Sequence, residues 1–338
     1  MTVSAFISGC AGATLSRDEI AFFRDAEPWG FILFKRNCES PDQIRRLCDG
    51  LREAVGRDAP ILIDQEGGRV QRLGPPQWPA YPTGRTFGDL YADDPERGLA
   101  AARLGARLIA ADLAALGIDV DCLPVLDVPV EGAHDVIGHR AYWTTPEPVA
   151  ELGLAAAAGL LDGGVLPVIK HIPGHGRAGV DSHLSLPVVE ASRERLEETD
   201  FPPFRAAAAL PLAMTAHVVY TAIDPDRPAT TSATVIDEVI RGFIGFDGCL
   251  MSDDVSMEAL SGTIAARTAA ALEAGCDLAL HCNGKLAEMI AVAGASRALS
   301  GRAAERAERA AAMRVRPAPF DVAAARDEFA RLTATASV

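Results

Sequence analysis

A few residues in this sequence have types and spacings that suit acid–base and nucleophilic chemistry. Ser252-Asp253-Asp254 sets two adjacent carboxylates after an apolar run. On an extended backbone their side chains point to opposite sides, so only one is expected to face a site. Two carboxylates sharing a pocket would push up one pKa, which suits an acid and not a nucleophile. Asp181 and His183 are one residue apart, so on an extended loop they share a side. A carboxylate against one imidazole nitrogen fixes the tautomer and leaves the other nitrogen for proton transfer. Gly174, Gly176 and Gly179 precede the pair and would let such a loop swing over a ligand. A surface loop without chemistry is the plainer alternative. Arg72, Arg140 and Lys170 add long donors, and Asp64 a carboxylate able to accept two hydroxyl hydrogen bonds. A polyhydroxylated or anionic ligand would suit them.

Structural roles compete at each position. Asp127 would serve as a cap for the next segment, and Asp253-Asp254 as the N-cap of a short helix at Met257–Leu260. His139, His217 and His281 fit hydrogen-bonded structural histidines at strand ends. Asp64 as an isolated buried acid would be costly, so an adjacent Arg or a ligand is expected.

The elements that must position these residues are legible as a repeat. Eight short apolar runs recur: Val3–Ser8, Gly30–Phe34, Ile61–Ile63, Val120–Leu126, Leu166–Ile169, Leu212–Thr215, Cys249–Met251 and Leu278–His281. Between them lie Ala/Leu-rich stretches with helical spacing, among them Pro95–Leu116, Pro146–Leu161 and Ile264–Ala274. Alternation of strand and helix predicts a parallel sheet, and eight repeats favour an α/β (β/α)₈ TIM barrel. An open doubly wound sheet is the alternative, but no G-x-G-x-x-G opens a helix after the first strand. The chain is expected to be one domain, 1–338, with a helical tail from about 295. In such a barrel the strand ends form the active face, and six of the seven histidines fall there.

Composition narrows the partners. A net charge of −14 argues against nucleic acid or an anionic membrane. Seven widely spaced cysteines with no C-x-x-C pair fit a reducing compartment. Ile7-Ser8-Gly9-Cys10 faintly resembles a lipoprotein cleavage site, but no Lys or Arg precedes it and the apolar stretch is short. No segment has the apolar length of a membrane span. The expectation is a soluble, cytoplasmic, monomeric protein with a small-molecule partner.

At Ile63–Arg72, Lys170–Gly176 with Asp181-Ser182-His183, Met214–His217 and Ser252-Asp253-Asp254, the sequence resembles glycoside hydrolase family 3. Within that family it is similar to the single-domain bacterial β-N-acetylglucosaminidases of peptidoglycan recycling, and the similarity runs from Gly30–Asn37 to about Leu260. The resemblance implies a retaining hydrolysis of terminal β-linked N-acetylglucosamine from GlcNAc-1,6-anhydro-muropeptides, without metal or cofactor. It implies Asp253 as nucleophile and His183, paired with Asp181, as acid/base, in place of the usual second carboxylate. It assigns sugar binding to Asp64, Arg72, Arg140, Lys170 and His171. Ile172 stands where an aromatic residue is common, and His139-Arg140-Ala141-Tyr142 varies the usual wording; both bear on selectivity. A phosphorylase of the same family is the nearest competing activity. A metal-dependent barrel using His171, His175, His183 and His217 lacks an H-x-H on the first strand. A non-catalytic sugar-binding barrel gives no role to Asp253 or to the dyad.

Overall fold

The computed structural model describes residues 2–182, 185–314, 317 and 319–334. Eight parallel strands close into a barrel: β1 (Ser4–Ser8), β2 (Pro28–Leu33), β3 (Ile61–Ile63), β4 (Val120–Asp121), β5 (Leu166–Ile172), β6 (Leu212–Thr215), β7 (Cys249–Asp254) and β8 (Leu278–His281). Each pairs with its sequence neighbours, and β8 closes on β1 through Phe6–Ala279 and Ile7–Leu280. The expected TIM barrel is therefore present.

Side-chain alternation divides the strand residues between two cores. Ile32, Leu62, Val168, Met251 and Leu280 fill the barrel interior. Phe31, Ile61, Ile63, Ile169 and Leu250 face outward into the helical layer. That layer comprises α1 (Arg17–Ala26), α2 (Pro41–Val55), α3 (Gly84–Asp93), α4 (Pro95–Ala114), α5 (Pro146–Asp162), α6 (Arg193–Thr199), α7 (Pro202–Ala206), a π-helix at Val235–Phe243, α8 (Ile264–Ala274) and α9 (Leu286–Ala295). Ser16 caps α1 in a capping box with Glu19, and Gly56 and Gly275 end α2 and α8 in the left-handed region.

Strands β1 and β2 differ from the apolar runs by one or two residues at their ends, and three boundaries differ further, for physical reasons. The fourth run breaks after Asp121, because Pro124 has no amide proton to keep a regular ladder; pairing with β5 resumes at Val125. Strands β5 and β7 run on through Lys170-His171-Ile172 and Ser252-Asp253-Asp254, which hydropathy cannot see because the barrel mouth is polar. No helix forms at Met257–Leu260; those residues make turns and bends.

Beyond 295, α10 (Gly301–Ala312) and α11 (Val322–Thr333) pack on the barrel. Arg306 of α10 bridges Asp247 (2.7 Å) and Asp277 (3.2 Å). On α11, Arg326 binds Asp112 (2.7 Å), which also accepts the Tyr81 hydroxyl (2.7 Å), and Phe329 lies near Phe87.

Helices α4 and α5 approach closely through small residues. A methyl group at Gly159 would collide with the carbonyl of Arg103. Alanine in place of a mid-helix glycine ordinarily adds up to about 1 kcal/mol. Overpacking costs about 1–3 kcal/mol, so the sign should reverse here. Gly159→Ala is expected to lower the urea unfolding midpoint; an unchanged or higher midpoint would show that the helices part at no cost.

Candidate active site

The strand register carries the inward columns up to the barrel mouth. Two residues beyond interior Ile32, Leu62, Val168, Met251 and Leu280 stand Phe34, Asp64, Lys170, Asp253 and Cys282. All five line one cavity of about 410 Å³, together with Arg72, Arg140, His171 and Asp254. The site is the top layer of the barrel core, with polar groups where packing residues would otherwise sit.

These groups form a chain of alternating charge. Arg72 donates to Asp64 (2.9 Å), and Lys170 contacts both Asp64 (2.8 Å) and Glu66 (2.6 Å). Arg140 grips Glu66 with two nitrogens, at 2.9 and 2.8 Å. Burial alone would raise the carboxyl pKa values. Lys170 and Arg72 more than offset it and hold Asp64 well below the carboxylate range. Arg140 and Lys170 hold Glu66 at about 2. Burial would likewise lower Lys170, yet Asp64 and Glu66 raise it above its ordinary value. Beneath them Asp121 is pushed upward by burial and accepts the Gln65 amide (2.9 Å).

A second network fixes the loop after β5. Asp127, fully buried, accepts the His171 Nδ1 hydrogen bond (2.7 Å) and the amides of His171 (3.2 Å) and His175 (2.7 Å). Burial opposes its ionisation, but His171 and His175 bring it to about 2. His175, lowered to about 4 by burial and by His171, meets Ser182 Oγ at 3.2 Å. The Ser182 carbonyl also accepts the Ala259 amide (3.2 Å), so the loop after β5 is tied to the segment after β7.

Asp64, Arg72, Arg140, Lys170, His171 and Asp253 thus line one cavity. Ser182, next to Asp181, also lines it, and His183 lies outside the described residues. Two expectations need correction. Both Asp253 and Asp254 line the cavity, because β7 shifts register against β8 between Met251 and Asp254. Asp254 does not cap a helix. Its carboxylate accepts Ser256 N (3.0 Å), Ser256 Oγ (2.6 Å) and Cys282 N (3.2 Å), which orders the turn, while its own amide donates to Asp253 Oδ1 (2.7 Å). His217 is structural: its ring meets Thr230 Oγ1 (2.7 Å) and the Asp254 carbonyl (3.0 Å).

Sequence reasoning missed Glu66 and treated Asp127 only as a cap. Glu66 sits two residues past Asp64 on an extended segment, so alternation alone could have paired them. Nothing local marks Asp127, whose partners lie 44 and 48 residues away. The apolar rim of Val136, Ile137 and Met257 was also unforeseen, since loop residues carry no periodicity.

A closed parallel barrel whose strand ends present carboxylates and donors to a sugar-sized cavity is an arrangement that suits a (β/α)₈ glycoside hydrolase. The family described as "Glycosyl hydrolase family 3 N terminal domain" matches residues 14–316, and the chain belongs to that family. A beta-hexosaminidase of Alkalilimnicola ehrlichii is 41% identical over 287 residues, covering 84% of this chain and 82% of that one. The chain superposes on native NagZ of Neisseria gonorrhoeae with a TM-score of 0.88 at 32% identity, covering 99% of both. That protein has also been solved in complex with N-trifluoroacetyl-D-glucosamine (TM-score 0.83). A family 3 beta-N-acetylglucosaminidase from Paenibacillus matches at TM-score 0.82 and 33% identity; the chain spans 62% of its length and is itself covered to 99%.

Because Asp127 is depressed to about 2, its contribution to stability is full above the unfolded value near 4 and is lost as pH falls toward 2. A tenfold change in acidity is worth about 1.4 kcal/mol, so Asp127→Asn should cost about 2 kcal/mol at pH 7. Urea unfolding at pH 7 and at about pH 2.5 should show the gap between wild type and variant narrowing in acid. A gap independent of pH would assign the loss to shape and not to charge.

Proposed function

We propose that this glycoside hydrolase removes terminal, non-reducing β-linked N-acetylglucosamine with retention, acting on peptidoglycan fragments of the GlcNAc-1,6-anhydro-muropeptide type. In this reading Asp253 attacks the anomeric carbon and forms a glycosyl-enzyme bond. His183, oriented by Asp181, protonates the departing glycosidic oxygen and then takes a proton from the water that releases the sugar. Asp64, Arg72, Arg140, Lys170 and His171 bind the hydroxyls and acetamido group, so that binding energy goes into orientation.

The observation that carries the reading is the shared cavity. Asp253 stands in the same inward layer as the Asp64–Lys170 pair, within a space of about 410 Å³. Ser182, between the two residues of the proposed dyad, lines that space too and is hydrogen-bonded there. The N-acylated glucosamine bound by the gonococcal relative supports the sugar assignment. Among the described residues no helix is long and apolar enough to cross a membrane, and all seven cysteines are free. The thiols fit a reducing, cytoplasmic compartment.

Mass analysis of protein trapped with a fluorinated N-acetylglucosaminide should place the label on Asp253. Asp253→Ala should abolish turnover of a chromogenic N-acetylglucosaminide while leaving the unfolding transition in place; retained activity would remove the assignment. Product analysis with phosphate present should give free sugar, and sugar 1-phosphate would replace the hydrolase by a phosphorylase. Asp181→Asn should shift the pH profile of turnover through the acidity of His183; an unmoved profile would separate Asp181 from the proton transfer.

A further inference from the structure

We propose that Glu66 is a positioning residue of the sugar site, holding Lys170 and Arg140 side by side at the inner wall without touching the ligand itself. The inference rests on the reading of Lys170 and Arg140 as sugar-binding groups. Both line the cavity, whereas Glu66 stands behind them, against the small spaces near Tyr81 and Gly84.

Its carboxylate is fully used. Oε1 forms an ion pair with Lys170 Nζ (2.6 Å) and accepts from Arg140 Nη2 (2.8 Å), and Oε2 accepts from Arg140 Nε (2.9 Å). Asp64 holds Lys170 from the other side at 2.8 Å. Two cations this close and this buried repel each other unless an anion sits between them. Glu66 is the anion that contacts both. The fork also sets the plane of the Arg140 guanidinium, leaving Nη1 on the Val136 carbonyl (3.2 Å). Through that bond Glu66 steadies the rim residue Val136 as well.

An amide cannot replace this carboxylate. With one oxygen between Lys170 and Arg140 Nη2, the amide nitrogen of a glutamine would face Arg140 Nε, donor against donor. Either Arg140 swings away or Lys170 loses its second anion. In Glu66→Gln the remaining charges facing Lys170 are Asp64 and Arg140, with Cys122 and Asp121 buried below. The Lys170 ammonium should then lose its proton more readily.

The chain has three lysines, Lys35, Lys170 and Lys285, so ¹³Cε-lysine labelling gives a readable spectrum. Lys170→Arg identifies the signal. Glu66→Gln should move the Lys170 titration to lower pH and raise KM for a chromogenic N-acetylglucosaminide about ten- to a hundredfold, with kcat within about threefold. Glu66→Asp keeps the charge but is too short for the fork. It should leave the titration near wild type and raise KM by less. An unchanged Lys170 titration in the glutamine variant overturns the proposal. Should that variant not fold, an equal loss of kcat and kcat/KM in Glu66→Asp, with KM unchanged, overturns it. Wild-type turnover tests the glycosidase reading separately, since the lysine titration needs no activity.

Discussion

A lysine ammonium that is only 2% exposed at the top of a barrel core is tolerable only if its charge is matched where it sits. Lys170 meets that condition by lying between Asp64 and Glu66, and the rest of the site follows from the pairing. Each carboxylate then needs a further cation, which Arg72 and Arg140 supply. Three cations against two anions leave this wall with one positive charge in excess. The donors are rigid because moving any one would strand a buried charge, at a cost of several kcal/mol. Such a wall is pre-organised for hydroxyl and amide oxygens before any ligand arrives.

The loops around the mouth are fastened by similar means. Arg69 reaches the carbonyls of Asp135 and Val136, both at 2.5 Å, and so ties the segment leading to Arg140 to the loop after β3. Arg36 bonds the carbonyls of Cys10 (3.0 Å) and Cys282, joining the loops after β1, β2 and β8. Asp127 does the same for the backbone of His171 and His175. Charged side chains bonded to backbone carbonyls and amides of distant loops give the polar face the order that packing gives the rest of the barrel.

The two halves of the mouth differ in character. One wall is the Arg72-to-Arg140 charge chain, in which Arg72 and Lys170 each engage one oxygen of Asp64. The other is the end of β7, where a backbone amide in the strand itself donates to Asp253 Oδ1 and further amides hold Asp254. An acid gripped by two cations on its wall suits the holding of hydroxyls. In the proposed reading Asp253, whose carboxylate accepts the amide of the next residue in the strand, is the acid that attacks carbon.

The recurrence of short apolar runs, each followed by a helical stretch, located all eight strands, since that alternation of strand and helix leaves few other folds. Residue type picked out Asp64, Lys170 and the Asp253-Asp254 pair at strand ends, with Arg72 and Arg140 in the loops beyond, whereas the choice of Asp253 and the role of His171 came from the family resemblance. What sequence could not supply was distance. The closure of β8 onto β1, the meeting of Glu66 with Arg140 across 74 residues, and the grip of Asp127 on His171 across 44 exist only once the barrel is shut. Strand ends at Asp121, Ile172 and Asp254 were likewise set by partners and not by hydropathy. Local chemistry is written in the chain; which charges neutralise one another is decided by the closed sheet that brings them together.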